Sequence, residues 1–169
     1  MNYQIVILAV FILFALKEAI NGGLFNKKTE ESSDSIVEAI STVLLFAVSQ
    51  PFALFSAAFL MSLAFPQYEG VLADTSIFLQ ILLLLIFDDL MQYWWHRASH
   101  TFMWLYNLHR AHHNAKYMSV RIVFRNNFFY YAMMPSLWFS GALIYLGLGW
   151  VYAFYLVVKL TVIIGAHSE

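Results

Sequence analysis

Five of the chain's six histidines stand within eighteen residues, at positions 96, 100, 109, 112 and 113 of the stretch HRASHTFMWLYNLHRAHH. Side chains three and four residues apart share a helix face, so His96 and His100 form one pair and His109 can meet both His112 and His113. Carrying the first stripe backwards adds Tyr93 and Asp89, which puts a carboxylate, a phenol and two imidazoles on one face. Imidazole nitrogens suit iron, zinc and copper, and a buried carboxylate orients a ligating ring through its second nitrogen. The spacing therefore predicts metal binding by His96, His100, His109, His112 and His113, with Asp89 behind them.

The residue types narrow the chemistry. The chain has no cysteine, which removes disulfides, thiolate zinc sites, iron–sulfur clusters and covalent c-type haem. A zinc peptidase needs a glutamate directly after the first histidine of H-x-x-x-H, and Arg97 stands there. A nucleobase deaminase needs a C-x-x-C pair. A bis-histidine membrane cytochrome stays open, since it needs two histidines and no cysteine. Adjacent His112 and His113 suit two metal ions side by side better than one haem.

These residues must be carried by membrane helices. Of the 169 residues 62% are hydrophobic and 11% charged, and the mean hydropathy is +0.69, far outside the soluble range. A net charge of −1 leaves no basic surface for a nucleic acid. The expected architecture is all-α: one membrane domain over 1–169, a polytopic transmembrane bundle of four to five spans with the histidines on one face. Residues 3–20 read as a retained span, with no basic residue ahead and no cleavage pattern after it. Residues 21–35 form a polar loop ending in Ser35, a capping-box start with Glu38. Residues 36–65 would be about 45 Å long as one helix, and Pro51 suggests a single kinked span. After a turn at 66–74, the next span ends at His96 and His100. Residues 128–149 and 150–166 read as two more spans or a hairpin divided near Gly147 and Gly149.

Charge sets the expected orientation. Residues 97–125 carry Arg97, Arg110, Lys116, Arg121 and Arg125 without an acid, which places this loop, and the histidines, on the cytoplasmic side. Counting back through single spans puts the 69–74 loop outside and the Lys27/Lys28 loop inside. Trp94, Trp95 and Trp104, with Tyr93 and Tyr106, read as an interfacial aromatic belt.

From about Leu84 onward the chain resembles the fatty acid hydroxylase / sterol desaturase superfamily of integral-membrane non-haem di-iron enzymes. In that family a helix bearing an aspartate, aromatics and H-R-x-x-H leads to a segment ending H-x-x-H-H. DDLMQYWWHRASH and LYNLHRAHH match at Asp89, Tyr93, His96, Arg97, His100, His109, His112 and His113. Arg125 matches an arginine that follows the boxes, and GAHSE a later motif whose histidine is His167. The resemblance implies two irons per site and His167 as a further ligand. It also implies dioxygen as oxidant, a lipid substrate, and electrons from a cytochrome b5, ferredoxin or reductase. The membrane would be the plasma membrane in a bacterium or the endoplasmic reticulum in a eukaryote. Residues 1–83 match only as generic spans, and 84–169 as a partial hydroxylase-like region. In the family a further H-x-x-H-H box follows, so the expectation is a C-terminally truncated enzyme whose intact form carries that box. A chain without it would need ligands from another chain, or would hold a degenerate site. A non-catalytic membrane subunit, or pseudoenzyme, with a structural metal site is the competing functional reading.

Overall fold

The computed structural model describes residues 3–21, 24, 31 and 33–168, with side chains from residue 5 onward. Lys27 and Lys28, on which part of the orientation reading rests, lie outside the described residues. All regular structure among the described residues is helical: α1 (Tyr3–Ile20), α2 (Asp34–Ala64), α3 (Ile77–Ser99), α4 (Met103–His113), α5 (Phe128–Ala132), α6 (Pro135–Leu143) and α7 (Gly149–His167). Among the described residues three stretches are long and apolar enough to cross a membrane, Asp34–Ala64, Ile77–Ser99 and Pro135–His167. Phe55, Phe78 and Trp150 are more than 80% exposed on the outside of the bundle. In water such a surface would be an aggregation liability, whereas in a bilayer it faces lipid.

Each long stretch contains one turn wound wider than an α-helix, and each has a local cause or consequence. In α2 the wide turn is Leu45–Ser49, where Gln50 N donates to Leu45 O five residues back. It directly precedes Pro51, which has no N–H to offer the carbonyl of Ala47; the wider winding lets the chain continue as one helix. In α3 the wide turn is Leu85–Leu90 and contains both Asp88 and Asp89. The third lies at Ile144–Leu148, where Gly147 adopts φ 112°, ψ 4°. An added Cβ at Gly147 would sit 2.7 Å from Ala73 N, so both the turn and the close approach require glycine.

That glycine divides the last apolar stretch into a helical hairpin, as its position in the sequence suggested. The 66–74 loop is stitched to the turn by Gly70 N to Tyr145 O (3.1 Å) and Leu72 N to Leu146 O (2.8 Å). Helix α6 runs up to this loop, and α7 returns to the histidine end. Gly141 of α6 lets it lie directly on α2: a Cβ there would be 2.5 Å from Leu54 O. On the other flank α7 packs against α1, with Gly165 beside Phe14. The core between them contains Leu84, Val120, Phe124, Tyr130, Leu148 and Ile164.

The start of α2 departs from the capping-box expectation. The helix begins at Asp34, and Ser35 is already inside it, accepting from Arg121 Nη1 at 3.0 Å. Asp34 Oδ2 accepts from Glu31 N at 2.9 Å. Glu38 is drawn away from the cap by Tyr117 and Arg121.

Candidate metal centre

Helix α3 is started by Ser76, whose hydroxyl accepts from Leu79 N at 3.3 Å. At the histidines its last turn tightens, with His100 N donating to Arg97 O (3.2 Å) and Thr101 N to Ala98 O (2.9 Å), while the Ser99 and Thr101 hydroxyls donate back to Trp95 O (2.8 Å) and Arg97 O (3.1 Å). His96 therefore sits in the final turn and His100 just beyond it. Phe102 is extended (φ −100°, ψ 120°), and the chain turns into α4. Leu105 and His109 are buried on the inner face of α4, 1% and 2% exposed. Their spacing brings His109 and His113 back against the end of α3.

His96, His100, His109 and His113 each present a ring nitrogen, and these four atoms all lie within 4.8 Å of one another. Within the group the Nε2 atoms of His96 and His100 are 3.2 Å apart, and those of His109 and His113 are 3.0 Å apart. His112, one residue from His113, points about 100° away around the helix. It meets His167 at the end of α7, Nε2 to Nε2, at 3.4 Å. The H-x-x-H-H segment is thus shared between a four-nitrogen cluster and a two-nitrogen pair. The spacing alone allowed all three of its histidines to converge.

The hydrogen bonds on the far side of these rings test whether a cation fits. His112 Nδ1 faces Ile122 O at 3.2 Å, and His167 Nδ1 faces Ile163 O at 2.8 Å. A carbonyl only accepts, so both Nδ1 atoms carry the proton. In the neutral rings both Nε2 lone pairs then face each other, an arrangement that repels unless a cation lies between them. His109 Nδ1 is held likewise by Asn126 Oδ1 at 2.8 Å, while Asn126 Nδ2 donates to Tyr131 Oη at 3.1 Å. The spacings agree as well. Nitrogens bound about 2.1 Å from one ion, at about 90–109° to each other, stand about 3.0–3.4 Å apart. The donor set therefore fits first-row metal ions held by imidazole.

Burial keeps the rings in the ligating form. Desolvation, opposed by the Asn126 bond, lowers His109 to about 3. Desolvation and then the neighbouring His167 and His113 lower His112 to about 4. His113 is lowered too, by desolvation first and then by His100. Metals bind the unprotonated ring, and near neutral pH these rings are in that state. The ring of Tyr130 stacks on His109, 4.6 Å between centroids and 17° between planes, which fixes the imidazole plane.

Asp89 and Tyr93 bond to side chains other than the histidines. Asp89 lies inside the wide turn of α3. Its carboxylate lies 3.6 Å from Lys159 Nζ, with the side chain 53% exposed. Tyr93 accepts from Arg97 Nη1 at 2.9 Å on the surface. The groups that hold the second nitrogens are the Ile122 and Ile163 carbonyls and Asn126, none of which a residue-type search selects. Lys159, by contrast, had a readable signal: it is the only charged residue in the apolar run 150–166.

The sequence model of a family described as Fatty acid hydroxylase matches residues 81–169, just over half of the chain. No curated protein and no solved structure matches. All six histidines fall inside the matched segment, with the four-nitrogen cluster at its α3–α4 corner and the pair where α7 returns to it, and the chain belongs to the fatty acid hydroxylase family.

Proposed function

We propose that the chain is the membrane domain of a lipid hydroxylase or desaturase whose histidine face holds iron and faces the cytoplasm. The observation that carries this reading is the division of six imidazoles into two neighbouring donor groups, one of four nitrogens and one of two. Iron bound there would supply dioxygen activation, which attack on an unactivated C–H bond requires. The overall reaction would consume one dioxygen, two electrons and two protons. It would insert one oxygen atom or remove two hydrogens, with water as the other product. Crowded rings, with centroids 4.6–5.4 Å apart around His109, support ions over a porphyrin.

The bundle supplies a route for an apolar substrate. A cavity of about 610 Å³ opens between α1, α2 and α7, lined by Phe11, Leu54, Phe55, Leu156 and other apolar side chains. A smaller cavity of about 100 Å³ adjoins it, sharing Phe46, Gln50, Phe124, Tyr152 and Leu156 in its wall. The inner one reaches Gln92, one turn below His96, and Ile163, whose carbonyl holds His167. A lipid chain entering from the bilayer would meet the underside of the histidine face there. Arg97, Arg110 and Lys116 are exposed and suit an acidic redox partner.

The test is turnover in lipid nanodiscs with ferrous iron, dioxygen and a chemical reductant, read by mass spectrometry of the lipids. A lipid that gains one oxygen atom or loses two hydrogens, in wild type and not in His109→Ala/His113→Ala, supports the enzyme. Iron that binds without lipid oxidation or dioxygen uptake supports the structural-metal subunit instead.

A further inference from the structure

Glu18 is the most deeply buried carboxylate among the described residues, 1% exposed, and it occupies an unfavourable place. It lies in the last turn of α1, where the helix dipole presents its negative end. A buried carboxyl group there needs hydrogen-bond donors, and two come from one distant segment. Ser119 Oγ donates to Glu18 Oε2 at 2.7 Å and Val120 N donates to Glu18 Oε1 at 2.9 Å.

That segment carries the acceptor for a histidine of the metal face. Val120–Ile122 is a single tight turn, closed by Ile122 N to Ser119 O at 3.1 Å and Val123 N to Val120 O at 3.3 Å. Two residues after Val120, the Ile122 carbonyl accepts from His112 Nδ1 at 3.2 Å. Val120 and Ser119 are fully buried and Ile122 nearly so, so the turn has little freedom to move independently of its anchor. Its two flanks are held by α2: Arg125 Nη1 donates to Asp34 Oδ1 at 2.7 Å after the turn, and Tyr117 donates to Glu38 before it. Both anchors precede the family-matched segment.

We propose that Glu18 is a positioning residue for His112: it fixes the 119–122 turn, and the Ile122 carbonyl of that turn holds the His112 ring with Nε2 aimed at its partner His167. The inference rests on the metal reading above. It assigns to α1 a part in building the metal face.

The test is cobalt(II) titration of the purified chain in detergent, followed by its visible ligand-field bands, in wild type, Glu18→Gln, His112→Ala and the double variant. Outer groups that orient a ligand change metal affinity by about 10–100-fold. Glu18→Gln is expected to weaken binding about tenfold, to alter the bands, and to have no further effect once His112 is alanine. Equal binding by wild type and Glu18→Gln overturns the inference, as does the same loss with and without His112. His112→Ala binding like wild type overturns it too. A wild type that takes no cobalt at these histidines overturns the metal reading, and the inference with it. Should Glu18→Gln not fold, Ser119→Ala removes one of the two bonds and is expected to shift affinity in the same direction by less. The thermal midpoint of each metal-free variant reports folding separately.

Discussion

Lys159 Nζ lies 2.8 Å from Asp88 Oδ2, and each residue stands eight positions before the histidine that its helix delivers to the metal face, Lys159 before His167 and Asp88 before His96. Eight residues of helix rise about 12 Å, so the pair sits at matched depth on α7 and α3. Both side chains are buried, 9% and 4% exposed. The wide turn at Leu85–Leu90 lets Asp89 approach the same amine. The ion pair thereby sets the register of α7 against α3, and with it the height at which His167 meets His112.

Removing one partner strands the other charge. Lys159→Met is expected to destabilise the chain by about 3–5 kcal/mol, the usual cost of an uncompensated buried partner. Asp88→Leu/Lys159→Met is expected to recover most of that loss. Thermal unfolding in detergent, compared across the two variants, checks this; equal stability of Lys159→Met and wild type would show that the pair carries no structural role.

The split of the histidines has its own signature in metal content. His112→Ala/His167→Ala is expected to retain close to one metal ion per chain, held by the four remaining rings. His109→Ala/His113→Ala is expected to lose that ion. Elemental analysis of dialysed protein separates the cases, and identical losses in the two double variants would contradict two distinct donor groups.

Acid should loosen the metal-free protein in a defined window. The folded chain holds His109 at about 3 and His112 at about 4, below the unfolded value near 6.5. In that interval the unfolded state binds more protons, so stability falls as pH falls. The stability carried by these neutral rings is complete above about 6.5 and is lost progressively towards about 4 and about 3. The thermal midpoint of the metal-free chain is expected to drop already between pH 6.5 and 5, and His109→Gln to flatten that slope. A midpoint that rises over this interval would contradict the burial of these rings.

Close packing of α6 on α2 depends on one missing methyl group. Gly141→Ala places a Cβ 2.5 Å from Leu54 O and 2.8 Å from Ala57 Cβ. Two helix backbones must separate to relieve it, at about 1–3 kcal/mol as for other overpacked sites. A thermal midpoint unchanged from wild type would mean that the helices are not packed this closely.

The helices and the histidine face were legible because they rest on local features: apolar runs, punctuating glycines and i, i+4 spacing. Gly147 divides the last hairpin where the sequence suggested. Three wide turns were not legible. Asp89 lies in one of them and turns to Lys159. Nor could spacing tell that His112 and His113 serve different groups, since that depends on where α7 returns. The anchors Glu18, Asp34 and Glu38 grip a segment 79 to 102 residues later in the chain, which periodicity cannot report.

The most direct measurement is X-ray absorption at the iron edge on the purified chain reconstituted with ferrous iron, wild type beside His109→Ala/His113→Ala. The expected result is a shell of imidazole nitrogens at about 2.1 Å, with the ring back-scattering of several histidines, lost in the double variant. Iron without imidazole scattering, or the same spectrum in both proteins, would contradict a metal centre built from these histidines.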